Sequence, residues 1–222
     1  MERSTNLEPA QLITILTTEH FALQGARSAA LTDMQGRATL FTTALSSTLV
    51  ALALVGNIAK LGPAFQAFTF VMLPTLYVFG ILMYLRIVQI SLEDVLRARG
   101  LARIRHWYLE HARELAPYFL TTTHDDFAGM VAEMGVRTGP LQLFMSTEAV
   151  IAFVDSVLLG VLISMVGVLQ LHAGLLVAVG GGAVATAASL GALSLLSSRM
   201  WAALDRDHVP LFPSPATVTK AT

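Results

Sequence analysis

The sequence contains no cysteine and few charged residues. The lack of cysteine excludes disulfide bonds, thiolate metal sites and a cysteine nucleophile. Only 13% of the residues are charged, whereas 55% are hydrophobic, and the mean hydropathy is +0.65. These values are typical of a membrane protein and not of a soluble domain.

Motifs that would indicate an enzyme are also missing. There is no glycine-rich phosphate loop, no G-x-S-x-G nucleophile motif and no dinucleotide fingerprint. His106 and His111 do not have the spacing of two metal ligands on one helical turn, and the His124-Asp125-Asp126 cluster stands alone in a polar turn. We therefore predict no catalytic activity, no cofactor, no bound metal and no nucleic-acid partner.

Four long apolar stretches dominate what is present, at residues 39–59, 67–90, 149–171 and 173–198. Each is long enough to cross a hydrocarbon core about 30 Å thick as a helix of roughly 20 residues. Apolar and polar residues do not alternate in them, as they would in a membrane barrel. The sequence therefore predicts an all-α integral membrane protein with four transmembrane helices.

These spans divide the chain into five segments. We expect an N-terminal helix that leads into span one, a first transmembrane hairpin, a helical segment, a second hairpin and a mobile tail, at residues 1–38, 39–90, 91–146, 147–198 and 199–222. The helix after span two should break near Gly100 and end at Pro117. The third span should begin near Ser146 or Thr147.

Basic residues indicate the orientation. The two short turns are predicted around 61–66 and 171–174, and Lys60, beside the first of them, is the only lysine or arginine near either. The others lie in the terminal segments, near the end of span two or in the central segment. By the positive-inside rule, both termini and the central segment are cytoplasmic. We expect the central segment to contact anionic lipid headgroups through its arginines, Arg97, Arg99, Arg103 and Arg105.

Asp155 is the main candidate for a functional residue, because a charge at membrane depth is costly and usually faces the protein interior. It is predicted to lie about 10 Å into span three. It either lines an ion pathway, as a pore or gate residue, or forms a structural ion pair with Arg86 that locks spans two and three together. Glu148 either adds to an acidic pathway or complements the helix dipole in the first turn.

Two further features point to a pathway or to packing. In span one, hydroxyl groups such as that of Ser46, together with Asn57 near its end, either line a wet path or bond back to the preceding helical turn. Span four carries two rows of small residues that allow a close helix contact, within the subunit or in an oligomer; the rows are Gly174, Ala178 and Gly182, and Gly181, Ala185 and Ser189.

Three sequence segments resemble uncharacterised four-span bacterial membrane proteins, especially actinobacterial ones. They are Glu19-His20-Phe21-Ala22-Leu23-Gln24-Gly25-Ala26-Arg27-Ser28, Gly36-Arg37-Ala38 and Arg99-Gly100-Leu101-Ala102-Arg103-Ile104-Arg105. That resemblance implies no activity. The architecture is also distantly similar to SLATT-type effectors, which are proposed to form pores in bacterial defence, although the nucleotide-sensing domain is missing here.

The leading hypothesis is a homo-oligomeric ion channel or pore in a bacterial inner membrane, because four short-looped spans are too few to enclose a wide path. The alternative is a non-conducting membrane scaffold or regulatory subunit that binds a partner through its cytoplasmic helices. The third hypothesis is a small secondary transporter that uses Asp155 as its proton or cation site.

Overall fold

Helices make up most of the part of the chain that the structure describes, and no strand occurs there. A computed structural model describes residues 8–133 and 146–215. Its elements are α1 (Pro9–Ile58), α2 (Pro63–His111), a 3₁₀ helix (Arg113–Tyr118), α3 (Phe127–Glu133), α4 (Thr147–Leu169) and α5 (Leu175–Asp207). The four long helices α1, α2, α4 and α5 are each long and apolar enough to span a membrane. The all-α prediction is confirmed for these residues, with four span-length helices.

α1 confirms the prediction that the N-terminal helix continues into span one, since it is a single helix of 50 residues. Asp33 and Arg37, one turn apart, form an ion pair with 3.0 Å between Oδ1 and Nε. Thr42 Oγ1 donates to Ala38 O at 2.9 Å. This bond agrees with the interpretation in which the hydroxyls of span one bond back to the preceding turn.

α2 contradicts the predicted break at Gly100, because the helix continues to His111. Gly100 is explained by packing: a Cβ there would lie 3.0 Å from Leu23 Cδ1, so the small residue lets α1 and α2 approach. The predicted end at Pro117 is also wrong. Residues around Pro117 form the 3₁₀ helix, in which Leu115 N donates to Ala112 O at 3.0 Å; proline disfavours α-helix at the residue before it.

The turn between α1 and α2 is shorter than the predicted 61–66. Lys60 and Leu61 have φ angles of 46° and 58°, and α2 begins at Pro63, where the missing N–H costs nothing. The turn between α4 and α5 lies close to its predicted place. α4 begins at Thr147 as expected, because Ser146 is its N-cap and its Oγ accepts from Ala149 N at 3.1 Å.

The helices form two compact units, each with its own packing. The apolar unit contains the described residues 33–90 and 146–204, and the polar unit contains 8–32, 91–133 and 205–215. α1 and α2 contribute one part to each unit. In the apolar unit the buried side chains include Phe41, Ile87 and Ile151.

The polar unit packs the first part of α1 on the second part of α2, around buried residues such as Leu101 and Ala102. Arg27 Nε and Nη2 donate to the two carboxylate oxygens of Asp94 at 3.0 and 3.2 Å. The predicted mobile tail, 199–222, needs correction: α5 extends to Asp207, and residues 211–214 are hydrogen-bonded to Asp125 and Asp126. Residues 134–145, which belong to the predicted central segment, and residues 216–222 of the predicted tail lie outside the described residues.

Candidate ion site in the apolar unit

Asp155 lies in the third turn of α4 and is 0% exposed. Because the helix begins at Thr147, the residue is about 12 Å along it at 1.5 Å per residue. The face of α4 that carries it also buries Ile151, Ala152 and Leu158, so the carboxylate sits on the interior stripe of an otherwise apolar helix.

The carboxylate packs against Gly80 of α2, at a point that a side chain of α1 also approaches. A Cβ placed on Gly80 of α2 would collide with Asp155 Oδ1 and would lie 2.6 Å from its Cγ and 2.8 Å from Cε2 of Phe41 in α1. Gly80 therefore leaves the space that the carboxyl group fills, directly on the backbone of α2. Three helices of the apolar unit meet at this point.

Neither carboxylate oxygen of Asp155 has a hydrogen-bond partner among the described residues. The structural ion pair with Arg86 is therefore not formed; instead, Arg86 Nη1 lies 3.4 Å from Gln89 Oε1. An ionised carboxylate that is enclosed without a partner costs several kcal/mol. The group is consequently stable in this position only when a proton or a cation removes its charge.

Hydroxyl groups form hydrogen bonds between the helices of the apolar unit, and one of them belongs to Ser156, the buried neighbour of Asp155 in the sequence. Ser156 Oγ donates to Ser189 Oγ at 3.1 Å, and Tyr77 OH lies 3.3 Å from the same oxygen. Tyr84 OH donates to Leu193 O at 2.9 Å. These hydrogen bonds connect α2, α4 and α5, whereas the oxygens of Asp155 take no part in them.

The other pathway candidates are not gathered around Asp155. Ser46 and Asn57 are exposed on α1, where they face away from the interior of the unit. Glu148 is half-buried in the first turn of α4, which is the position that the helix-dipole interpretation requires. The enclosed carboxylate of Asp155 and the exposed polar face of α1 are therefore two distinct features.

The small residues of α5 divide in the same way. Gly182 packs on Gly160 of α4, since a Cβ on Gly182 would collide with Gly160 O, and Ala178 packs on Gly167. The predicted close helix contact therefore exists within the chain. The remaining members of the two rows behave differently: Ser189 is buried, Ala185 is half-buried, and Gly174 and Gly181 are exposed with open space around them.

Several residues of this site were not identified from sequence, namely Phe41, Tyr77, Gly80 and Ser156. The serine next to Asp155 and the two tyrosines seven positions apart in span two were available signals of a polar interior face. In the described ranges, 8–133 and 146–215, no three of His, Cys, Asp and Glu lie close enough to hold a metal ion.

No protein-family model matches the chain, and no curated protein or solved structure is similar to it at a significant level. The resemblance to four-span bacterial proteins thus stays a prediction. Functional inference depends on the geometry of the site alone.

Proposed function

We propose that this protein carries protons or monovalent cations across a lipid bilayer, with Asp155 as the ion-binding group. The observation that carries the proposal is the enclosed carboxylate, both of whose oxygens are without a hydrogen-bond partner among the described residues. Uptake of an ion neutralises the group, and release of the ion restores a charge that needs water. Such alternation is the basic requirement of a secondary transporter.

The enclosure favours a transporter over a pore that Asp155 lines. In a pore between identical subunits, the lining residues lie on the outer surface of each subunit. Asp155 is 0% exposed in a single chain, so association of copies would leave it inside each one. This reverses the order in which the sequence alone ranks the two functions.

Ion access requires one of the neighbours of Asp155 to move. The carboxylate lies against Gly80, which has no side chain that could rotate aside, and the ring of Phe41, which can rotate, lies beside the same glycine. Either α4 separates from α2, or the Phe41 side chain changes rotamer. Each movement would open the carboxylate to one side of the apolar unit and supports a carrier that binds its ion before releasing it.

Ion flux into liposomes tests the proposal. The purified chain is reconstituted with an entrapped pH-sensitive or sodium-sensitive dye, and a gradient of one ion is applied at a time. The wild type should dissipate one gradient, and Asp155→Asn should reduce the rate to that of empty liposomes. Asp33→Asn is the matched control, since it removes a carboxylate that is 42% exposed and should keep the flux. A wild type that moves neither ion contradicts the proposal.

The orientation forms part of the proposal: the termini and the 91–146 segment face the cytoplasm of a bacterium, and the protein lies in the inner membrane. The distribution of arginine supports it. Because the chain has no native cysteine, single cysteines can be labelled without background. Leu171→Cys should react with an impermeant maleimide on intact cells, and Tyr118→Cys should not; both side chains are exposed. The opposite pattern would exclude this orientation.

A homo-oligomeric channel is the second candidate, and the exposed polar face of α1 favours it. Thr43, Ser46 and Asn57 are all exposed on a helix whose surroundings are apolar, so another copy could cover this face or water could fill it. A charged thiol reagent should then block the current through the Ser46→Cys variant in bilayer recordings. A strictly monomeric particle in nanodiscs would exclude this candidate and leave the transporter untouched.

A further inference from the structure

Residues 205–214, which follow α5 in the polar unit, lie along the arginine-bearing stretch of α2. Asp205 forms an ion pair with Arg99 Nη2, and Arg99 Nη1 donates to His208 O at 2.8 Å. We call residues 205–214 the strap. The strap therefore occupies an arginine side chain that the sequence analysis expects to contact lipid headgroups.

Asp125 holds the centre of the strap. Its carboxylate accepts from Leu211 N at 3.0 Å, from Phe212 N at 2.7 Å and from Arg103 Nε at 2.6 Å. The ring of Phe212 stacks on His106 with 3.9 Å between centroids. Burial alone would raise the pKa of Asp125, but the backbone hydrogen bonds and the Arg103 guanidinium lower it below its ordinary value.

Asp126 holds the end of the strap. Its Oδ2 accepts from Ser214 N and its Oδ1 from Ser214 Oγ, both at 2.8 Å, while Oδ1 also caps α3 through Gly129 N. Burial raises the pKa of Asp126, but the hydrogen bonds have the larger effect and lower the pKa below its ordinary value. Asp126 therefore joins α3 to the strap.

The strap is held by polar contacts more than by burial of apolar area. Val209 is 70% exposed and Leu211 63% exposed, so neither contributes much hydrophobic stabilisation. A hydrogen bond to a charged group contributes about 1.5–3 kcal/mol net, since water replaces it on opening. A ligand that offers better acceptors can therefore displace the strap.

The hydrogen-bonding capacity of Arg99 is not fully used by the strap. Its side chain is 4% exposed, and its Nε is a buried donor with no hydrogen-bond partner among the described residues, while the Asp205 side chain is 50% exposed. A phosphate group has more acceptor oxygens than one carboxylate and one carbonyl, and it matches the guanidinium fork. The present ligands leave Arg99 incompletely satisfied.

We infer that the strap occupies an anion-binding face of α2, formed by Arg99 and Arg103, and that a phosphate-bearing lipid headgroup displaces it. A membrane lipid is favoured over a soluble phosphate because α2 and α5 each run unbroken from a span-length apolar stretch into this region. Basic residues that follow a span meet anionic headgroups. The inference requires a bilayer but not ion transport by Asp155.

Hydrogen exchange of the full chain in nanodiscs tests the inference. The Leu211, Phe212 and Ser214 amides donate to Asp125 and Asp126 and report the closed strap. They should exchange about tenfold faster in discs of phosphatidylcholine with phosphatidylglycerol than in phosphatidylcholine alone. Equal exchange in the two discs overturns the inference. Acceleration by inorganic phosphate in the neutral discs overturns the lipid source.

Variants locate the receiving site. Arg99→Gln should exchange rapidly in both discs, whereas Arg113→Gln, which changes an exposed arginine outside the strap contacts, should keep the lipid response. In neutral discs, the strap amides of Asp205→Asn should exchange faster than those of the wild type. In the anionic discs, the two proteins should exchange at the same rate. Exchange in α4 serves as the control for folding. A lipid response that persists in Arg99→Gln would overturn the assignment of this face.

Discussion

Gly80→Ala tests the contact on which the candidate site depends. The added methyl group would collide with Asp155 Oδ1 and would lie 2.8 Å from Cε2 of Phe41, so atoms of two other helices block it. Overpacking of a tight interior costs about 1–3 kcal/mol, and alanine recovers roughly 1 kcal/mol of helix propensity over glycine. With both neighbours buried, we expect the upper part of this range and a net loss of about 2 kcal/mol.

The measurement is the free energy of unfolding in mixed micelles, with Gly191→Ala as the matched control. Gly191 is an exposed helical glycine, and no atom lies within 4 Å of the position that its new methyl group would take. Its substitution should therefore leave stability unchanged or raise it by up to about 1 kcal/mol. A Gly80→Ala protein as stable as the wild type would refute the three-helix contact.

A double-mutant cycle separates steric from electrostatic causes. In an Asp155→Ala background, the carboxyl group that collides with the new methyl is gone, so Gly80→Ala should cost at least about 1 kcal/mol less than in the wild type. Asp155→Asn keeps the volume of the side chain and should give no such rescue. Rescue by Asn and Ala alike would indicate that charge, and not space, sets the cost.

Three other predictions concern the α4–α5 contact, Asp125 and Phe212. Gly182→Leu should lower the free energy of unfolding by at least about 2 kcal/mol through the α4–α5 contact, whereas Gly181→Leu, which meets open space, should change it little. The Asp125 contribution to strap stability should be complete above its unfolded pKa of about 3.9 and lost as pH falls through the lower folded pKa, so proteolysis of the strap should rise below about pH 4 in the wild type. Asp125→Asn should reduce this pH dependence to the part that Asp126 contributes, since hydrogen bonds to the strap lower the pKa of Asp126 as well. Phe212→Ala removes the His106 stack and should raise strap exchange, since such contacts are worth about 0.5–1.5 kcal/mol.

Local sequence signals predicted the long helices and their caps well. Hydropathy identifies four apolar stretches of span length, and the lack of proline between residues 11 and 37 predicts the unbroken α1. Ser146 was recognisable as a start signal because a cap depends on residues only three positions away. These features are properties of a single helix and need no knowledge of its neighbours.

Features that depend on distant residues were missed. Gly100 suggested a break, but Leu23 of another helix fills the space beside it. The proline-rich composition after residue 208 is typical of a mobile tail, but Asp125 and Asp126 supply acceptors for its amides. Neither contact has a local signal, because the partners are more than 70 positions apart in the sequence.

Asp155 illustrates the difference between depth and environment. Its distance along α4 could be derived from sequence, and that distance alone allows a pore wall, an ion pair with Arg86 or an enclosed site. The three differ in what surrounds the carboxylate, and Gly80 decides among them, since only a residue without a side chain lets the carboxyl group lie on the backbone of α2. The enclosed site thus depends on a glycine in another helix, to which no property of Asp155 or its own helix points.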